Sequence, residues 1–332
     1  MKKTSIGCFG LFLVVLLGMS LFFNVILLIP DVDTGSMSGG GRQNVFEKIT
    51  LEGSGSDHIA VIPLYGVISY GVFGEVYDSM VDDIVAKLRQ AREDDKVKAI
   101  ILRIDSPGGE VTASDVIYNE VVKTDEVKPV LVFMESVAAS GGYYVAAGAR
   151  YLMSNELTIT GSIGVIIQTY NVTQLSEKAG IDVLTIKSGK MKDILNPFRE
   201  TKPEEVEYLQ SMINETYDKF LGIVATERNL DAAELRDTVA DGRILSGKRA
   251  LSAGLLDGTG YFENAIEQAE ELAGLTSSRV VELKAPLSVG RFFRLFGSSV
   301  ESSKTLKIQL GPEALDLQAG KLYFLSPHVF GR

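Results

Sequence analysis

Cysteine, histidine and clustered basic residues are all scarce in this chain of 332 residues. The single cysteine, Cys8, excludes an internal disulfide bond. A hydrophobic content of 45% with only nine prolines excludes disordered and collagen-like proteins. The net charge is −10 and no stripe of lysine and arginine is present, so nucleic acid is not an expected partner. The composition predicts a globular protein with a sizeable core, in one large domain or two.

The shortage of histidine restricts the chemistry of any catalytic serine. A Ser-His-Asp triad needs an imidazole that reaches the serine, and the only two histidines are His58, at the start of the predicted folded domain, and His328, close to residue 332. A lysine amine can take the place of histidine as a base when burial favours its neutral form. The sequence contains no cluster of metal ligands, so we expect neither a metal nor an organic cofactor.

A long apolar run without charge lies near the N-terminus. Residues 6–29 form 24 uncharged positions, which as a helix span about 36 Å, enough to cross a hydrocarbon core of roughly 30 Å. Two lysines precede the run and two aspartates follow it, so the positive-inside rule predicts a cytoplasmic N-terminus at 1–5 and an extracytoplasmic remainder. The alternative is a cleaved signal peptide, but the run exceeds the ~7–15 residues of such a segment. We therefore expect a single-pass protein of the cell membrane.

The remainder of the chain divides by composition into three parts. Residues 30–57 are rich in glycine and serine and predict a flexible stalk. Over 58–275, near-continuous Val/Ile runs alternate with helical periodicity, which is typical of a mostly parallel α/β sheet with strands buried on both faces. Residues 276–332 form a C-terminal extension and tail. The predicted strands are 58–68, 97–104, 129–135, 163–170 and 182–186, and the predicted helices include 112–123 and one that begins at about Pro203.

Three short segments are candidates for a functional site. Residues 105–109 (DSPGG) follow a predicted strand, and their glycines can aim backbone N–H groups at an anion. Residues 136–144 (SVAASGGYY) set Ser140 among small residues, as for a nucleophile on a tight turn. Residues 187–193 (KSGKMKD) form a lysine cluster. The structural alternatives are an ordinary turn, close helix packing and a solvated charged edge, respectively. Because a suitable histidine is missing, a Ser-Lys dyad becomes the natural candidate.

Taken in order, these motifs resemble a known family. IAVIPLYGVI, DSPGG, SVAASGGYY, TGSIGV and SGKMKD follow the apolar run in the order of the signal peptide peptidase A family, which comprises membrane-anchored Ser-Lys serine proteases. The resemblance extends to about Phe262, and KLYFLSPH is similar to the short C-terminal tail of the family. It implies a Clp-protease/crotonase-like α/β fold, with mostly parallel buried sheets and flanking helices, behind one transmembrane helix. By this resemblance 58–275 is the protease domain.

The resemblance also implies a role for individual residues. Ser140 matches the nucleophile, and Lys192 matches the general base. Ser162 matches the serine that orients the lysine amine, and the N–H groups of Gly109 and Gly141 match the oxyanion hole. Lys190, on the other side of Met191, is the alternative base, because the preference for Lys192 rests on the family pattern alone.

The implied activity is endopeptidase cleavage of remnant signal peptides, or of other apolar peptides, after secretion. The resemblance further implies a homo-oligomer, an octamer, in which neighbouring protomers share each dyad, and residues 6–29 contact the lipid bilayer. Two other classes remain open at this stage. One is a catalytically inactive membrane scaffold of the same fold, and the other is a crotonase-like acyl-CoA enzyme.

Overall fold

The computed structural model describes residues 46–71, 79–285 and 323–325, together with positions 17 and 20. The predicted anchor at 6–29 and most of the predicted stalk therefore lie outside the described residues. Among the residues that are described, no helix has both the length and the apolar character needed to cross a membrane. Residues 46–284 and the described strand near the C-terminus belong to one compact unit.

Eleven strands and eight helices occur in the described part of the chain. The strands are β1 (Glu47–Gly53), β2 (His58–Tyr65), β3 (Val97–Ser106), β4 (Gly108–Glu110), β5 (Val130–Ala139), β6 (Tyr151–Ser154), β7 (Ile159–Gly161), β8 (Ile244–Ser246), β9 (Gly258–Thr259), β10 (Arg279–Lys284) and β11 (Tyr323–Leu325). The helices are α1 (Met80–Glu93), α2 (Val111–Asp125), α3 (Gly141–Ala147), α4 (Thr173–Lys178), α5 (Pro203–Arg228), α6 (Ala232–Thr238), α7 (Gly247–Ser252) and α8 (Phe262–Ala273).

Nine of these strands form one mostly parallel sheet. Its order is β1-β10-β2-β3-β5-β6-β9, with β7 beside β5 and β8 beside β7. Strands β1 and β8 run antiparallel to their neighbours, and the other pairings are parallel. The apolar runs 59–62, 99–102 and 130–134 are buried on both faces of the sheet. The predicted α/β class with a mostly parallel sheet is therefore confirmed.

Helices cover both faces of the sheet because their apolar residues recur at helical spacing. On one face, Ala265, Ile266 and Ala269 of α8 pack on side chains of β2, β3 and β5. On the other face, α1 contacts β2 and β3, while α3 contacts β3 and β5. Helix α1 begins after Ser79, whose side chain accepts a hydrogen bond from the Asp82 N–H at 3.1 Å, an N-cap that satisfies one of the free donors of the first turn.

The sheet is larger than the sequence predicts. Strand β1 lies inside the segment predicted as stalk, and β10 lies beyond residue 275, so the folded sheet extends past both predicted boundaries. Both strands are at or next to the edge, and β1 is largely exposed, which explains why its residues lack the apolar run of a buried strand. Phe46 is fixed just before β1, because its N–H donates to Gln90 Oε1 at 2.7 Å and its carbonyl accepts from Gln90 Nε2 at 2.8 Å.

Two predicted strands are wrong. Neither 163–170 nor 182–186 forms a strand, and residues 181–200 contain no helix or strand at all. The apolar residues of the second run face outward instead of into the sheet, with Leu184 85% and Ile186 89% exposed. The run of β-branched residues led to the prediction, since burial normally explains such a run. In this chain nothing within the described residues covers it.

Candidate active site

Ser140 lies at the carboxyl end of β5, directly before α3, in a strained conformation. Its φ of 54° and ψ of −114° fall outside the regions that residues with a side chain normally occupy. The hydroxyl is buried and has no hydrogen-bond partner among the described residues. Both features are costly, because left-handed backbone is strained and a buried polar atom without a partner loses its hydration. Such costs are concentrated at functional sites.

Ser162 follows the strand next to β5. The register of β5 and β7 pairs Ala139 with Gly161, so Ser140 and Ser162 come directly after two paired strand ends. The Ser140 N–H donates to the Gly161 carbonyl at 2.8 Å, which fixes the two ends together. Ser162 is also buried and has a positive φ of 50°. The structure therefore brings these two predicted residues to one edge of the sheet.

Gly109 in β4 lies beside the start of α3. A Cβ atom added to Gly141 would lie 3.0 Å from the Gly109 nitrogen and 2.6 Å from Ser114 Oγ, so the two glycines are close together. The Gly141 N–H directly follows Ser140 at the start of α3, where a helix leaves backbone donors without intrahelical partners. Two backbone N–H groups next to a candidate nucleophile are the elements of an oxyanion hole.

Strand β11 lies along the free edge of β4. The two strands pair antiparallel, with Phe324 opposite Gly109. Gly108 and Glu110 are both hydrogen-bonded to Ile68. The Ile68 N–H donates to the Gly108 carbonyl at 2.9 Å, and the Ile68 carbonyl accepts from the Glu110 N–H at 2.8 Å. Because the backbone groups of a strand alternate in direction, those of Gly109 face β11. Strand β11 also contacts α3, so an extended backbone already occupies the edge beside Ser140.

Lys192 forms no hydrogen bond with this group of residues. It belongs to a series of turns over 188–195, its side chain is exposed, and within the described part of the chain it forms no ion pair or side-chain hydrogen bond. Ser140 Oγ accepts no hydrogen bond from Lys192 in this single chain. The exposed Lys190 is in the same turns, and its carbonyl accepts from Lys187 Nζ at 3.2 Å. The structure thus brings Ser140, Ser162, Gly109 and Gly141 together, whereas both candidate lysines are exposed and not hydrogen-bonded to them.

Histidine does not supply the missing base at Ser140. His58 is the first residue of β2, whereas Ser140 follows the carboxyl end of β5. Both strands run parallel to β3, so the two residues lie at opposite ends of the strands. Burial and the nearby Lys48 lower the pKa of His58. The position of His58 therefore agrees with the inference that no triad is formed there. His328 lies outside the described residues.

A cavity of about 520 Å³ opens beside Ser162. Residues 162–166 form one wall, and Ile213, Asn214 and Tyr217 of α5 form another. The Tyr217 hydroxyl donates to the Ala240 carbonyl at 2.6 Å, which holds α5 against the segment before β8. Its lining combines aliphatic side chains, which suit apolar groups, with the charged side chains of Arg236 and Asp241.

The family model described as peptidase family S49 matches residues 122–276 of the chain. A protein of Enterococcus faecium named "Putative signal peptide peptidase SppA" is 33% identical over 283 residues, covering 80% of this chain and 81% of the relative. The chain belongs to the signal peptide peptidase A family, peptidase family S49. This S49 peptidase is also 37% identical over 289 residues to the chloroplastic serine protease SPPA of Arabidopsis thaliana, of which it covers 42%. Protease 4 of Haemophilus influenzae is 34% identical over 226 residues, 36% of its length.

Membership of this family makes the chain a serine peptidase. The alternatives of an inactive scaffold and an acyl-CoA enzyme are not supported by these similarities. Within the described residues, this S49 peptidase has no group of three or more His, Cys, Asp or Glu side chains that could hold a metal ion.

Two serines of this S49 peptidase that support the turn at Gly108 and Gly109 were not predicted from the sequence. Ser106 Oγ accepts from the Gly108 N–H at 3.1 Å, and Ser114 Oγ donates to the Glu110 carbonyl at 2.9 Å. Ser114 stands four residues after Glu110, the spacing at which a serine hydroxyl reaches back along a helix, and this spacing could have identified it. The bridge from Ile68 to Gly109 has no local sequence signal, because the two residues are far apart in the chain.

Proposed function

We propose that this chain is a membrane-anchored serine endopeptidase in which Ser140 is the nucleophile and Lys192 is the general base. The observation that carries the proposal is the buried Ser140 hydroxyl, which has no partner among the described residues and stands on a strained backbone. The neighbouring N–H groups of Gly109 and Gly141 supply donors for an oxyanion. A Clp-protease/crotonase-like arrangement of sheet and helices is part of the same proposal.

The reaction is acyl transfer through an ester. The neutral Lys192 amine takes the Ser140 proton as Oγ forms a bond to the peptide carbonyl carbon, and the carbonyl oxygen becomes negative. The N–H groups of Gly109 and Gly141 stabilise that oxygen, at about 3–4 kcal/mol per donor in other proteases. The C–N bond then breaks, and Lys192 returns the proton to the leaving amine. A water molecule deprotonated by the same lysine attacks the ester, which releases the acid and restores the Ser140 hydroxyl. Ser162, at the adjacent strand end, orients the amine.

We also propose that neighbouring copies share each dyad in a homo-oligomer, an octamer. Within the described residues of one chain, neither the Ser140 hydroxyl nor the Lys192 amine has a hydrogen-bond partner. This supports the proposal, because each group is then one half of a dyad that a neighbouring copy completes. The apolar side chains near Lys192 support it further, because Leu184 and Ile186 are 85% and 89% exposed. Covering each of them in an interface would stabilise the assembly by about 1.5–3 kcal/mol.

The proposed substrates are remnant signal peptides or other apolar peptides at the membrane. Residues 6–29 serve as the uncleaved anchor, with 1–5 in the cytoplasm and the catalytic domain outside the cell membrane, a proposal supported by the length and flanking charges of the run. The edge of β4 can pair with an extended peptide by strand addition. Apolar residues such as Ile163, Ile166 and Ile213 in the cavity beside Ser162 suit apolar substrate side chains.

The test uses the full-length chain in detergent micelles and an apolar fluorogenic peptide. We expect Ser140→Ala and Lys192→Ala each to be inactive. Dissociating and reassembling a mixture of the two variants should restore part of the activity, because some neighbours then combine an intact serine with an intact lysine. A mixture that stays inactive while wild-type chain treated in the same way recovers would contradict the shared dyad. An active Ser140→Ala variant would contradict the proposed nucleophile.

A further inference from the structure

The turns that carry Lys192 have little of their own structure to hold them. Residues 181–200 form no strand or helix. Among the described residues, the backbone N–H groups inside the turns form short-range bonds, such as those from Lys192 to Gly189 and from Ile194 to Met191, at 3.1 and 3.2 Å. Two longer-range bonds follow Lys192, from Thr169 Oγ1 to the Leu195 carbonyl at 3.3 Å and from the Val172 N–H to the Pro197 carbonyl at 2.8 Å. Both longer-range bonds lie three or more residues after Lys192, so side-chain contacts are needed to hold the turn next to Lys192 itself.

One guanidinium group binds the residue next to Lys192 at three atoms. Arg199 Nε donates to Asp193 Oδ2 at 2.8 Å, and Nη2 donates to Asp193 Oδ1 at 2.9 Å, so the fork holds both carboxylate oxygens of the residue next to Lys192. The same Nη2 also donates to the Asp193 backbone carbonyl at 2.9 Å. Arg199 thus binds both the side chain and the backbone at the position adjoining the proposed base, with the planar geometry that only arginine provides.

Arg199 connects the turns to the long helix α5. Its Nη1 and Nη2 donate to Glu205 Oε2 and Oε1 at 2.8 and 2.6 Å. The Glu205 side chain is completely buried in the first turn of α5 and also accepts the Lys202 N–H at 2.9 Å. Helix α5 is in turn anchored in the core through Phe220, Leu221 and Val224. Charged hydrogen bonds therefore connect Asp193 to Glu205, in a helix whose other end is packed in the core.

The same contacts involve the side chain of Asp193, which is the carboxylate nearest to Lys192 in the sequence. Asp193 Oδ1 also accepts from Lys187 Nζ, so Asp193 is paired with two cations and has no ion pair with Lys192. The hydrogen bonds from Arg199 and Lys187 hold the pKa of Asp193 well below its usual range. The charged groups around the turns are Lys187, Lys190, Arg199 and Glu205. An unpaired Asp193 would be free to bind the Lys192 amine and favour its charged form.

We propose that Arg199 is a positioning residue for the proposed base: it fixes the Lys192 turn to α5 and, together with Lys187, keeps the Asp193 carboxylate from pairing with the Lys192 amine. The inference rests on the proposed function, in which Lys192 must be neutral to act. It assigns no contact with substrate to Arg199.

Kinetic measurements on the full-length chain in detergent test this proposal. We expect Arg199→Gln to lower kcat by about 10²-fold, the loss that a misplaced catalytic group can cause. The acidic limb of the pH–rate profile should move upward by about one pH unit, because Asp193, then held by Lys187 alone, can also pair with the Lys192 amine. Combining Arg199→Gln with Asp193→Asn should return the limb toward its original pH, although not the full rate. Arg199→Lys should lie between wild type and Arg199→Gln, since lysine keeps the charge but not the fork.

Two controls separate this proposal from simpler explanations. Arg150→Gln breaks an arginine pair with Asp125 at the amino end of β5, away from Ser140, and should leave both the rate and the profile unchanged. Thermal unfolding of every variant shows whether the fold is retained. An unchanged pH–rate profile in Arg199→Gln would overturn the inference. It would also be overturned if the loss of kcat followed the fall in unfolding temperature and if adding Asp193→Asn did not move the acidic limb back. If Lys192→Arg were fully active, the proposed function itself would fail, whatever Arg199 does.

Discussion

Gly109 and Ile68 are packed backbone against backbone, so closely that a Cβ atom built on Gly109 would lie 1.9 Å from the Ile68 carbonyl oxygen. The contact follows from a parallel bridge between the two residues, in which Ile68 bonds to both neighbours of Gly109. Only glycine fits this position, and the bridge directs the Gly109 N–H away from Ile68 toward β11 and the start of α3.

Gly109→Ala should damage both the fold and the reaction. The added methyl group forces the strand and Ile68 apart, which we expect to lower the free energy of unfolding by about 1–3 kcal/mol. The displaced N–H no longer reaches the proposed position of the oxyanion, so kcat should fall by about 10²–10³. Gly222→Ala is the matched control, because a methyl group there meets nothing within 4 Å. In the middle of α5 it should stabilise by up to about 1 kcal/mol and leave kcat unchanged. Chemical unfolding and peptide hydrolysis measure the two effects, and a fully active Gly109→Ala variant would contradict the assignment.

The two candidate lysines can be distinguished by arginine substitution. Arginine keeps the positive charge but does not deprotonate in a protein, so it cannot act as a base. Lys192→Arg should therefore reduce peptide hydrolysis by about 10²–10⁴, the contribution of a general base. Lys190→Arg should remain close to wild type, because the Lys190 backbone carbonyl, and not its amine, takes part in the contacts of the turn. Initial rates of the two variants decide the question, and a greater loss at Lys190 would reverse the assignment.

Much of the fold was predictable because buried strands and helices have characteristic apolar patterns in the sequence. The Val/Ile runs of β2, β3 and β5 and the periodicity of α5 identify the sheet and its longest helix. The edge strand β1 has no such pattern, since almost all of its residues are exposed. The run at 182–186 has the same apolar pattern but forms no strand, because such a pattern predicts burial without identifying the surface that covers the residues. The pairing of β11 with β4 joins residues far apart in the chain, and no local pattern encodes it.

Glu205 should make stability depend on pH. The hydrogen bonds from Arg199 lower the pKa of Glu205 to about 2, below the value of about 4 in an unfolded chain. A lowered folded-state pKa stabilises the fold above the unfolded pKa, and that stabilisation is lost as the pH falls through the folded pKa. The unfolding temperature of Glu205→Gln should therefore lie below that of wild type at neutral pH, and the difference should shrink between about pH 4 and pH 2. Glu207→Gln, exposed on the same helix, is the control and should change little at either pH. A difference that is constant with pH would contradict the role of the Glu205 charge.

Strand β11 should compete with substrate for the edge of β4. An extended peptide that pairs with β4 needs the Gly109 groups that now face Phe324, and a competitor in the same chain acts at a high effective concentration. Phe324→Pro removes the backbone N–H opposite Gly109 and should weaken this pairing, whereas Phe324→Ala keeps that N–H and serves as its control. We expect the proline variant, and a chain shortened after residue 320, to lower KM for an apolar peptide without changing kcat, because competition affects binding and not the chemical step. Steady-state kinetics of the three variants in detergent test this expectation. If KM were unchanged in both the proline variant and the shortened chain, β11 would not occupy the edge that the substrate uses.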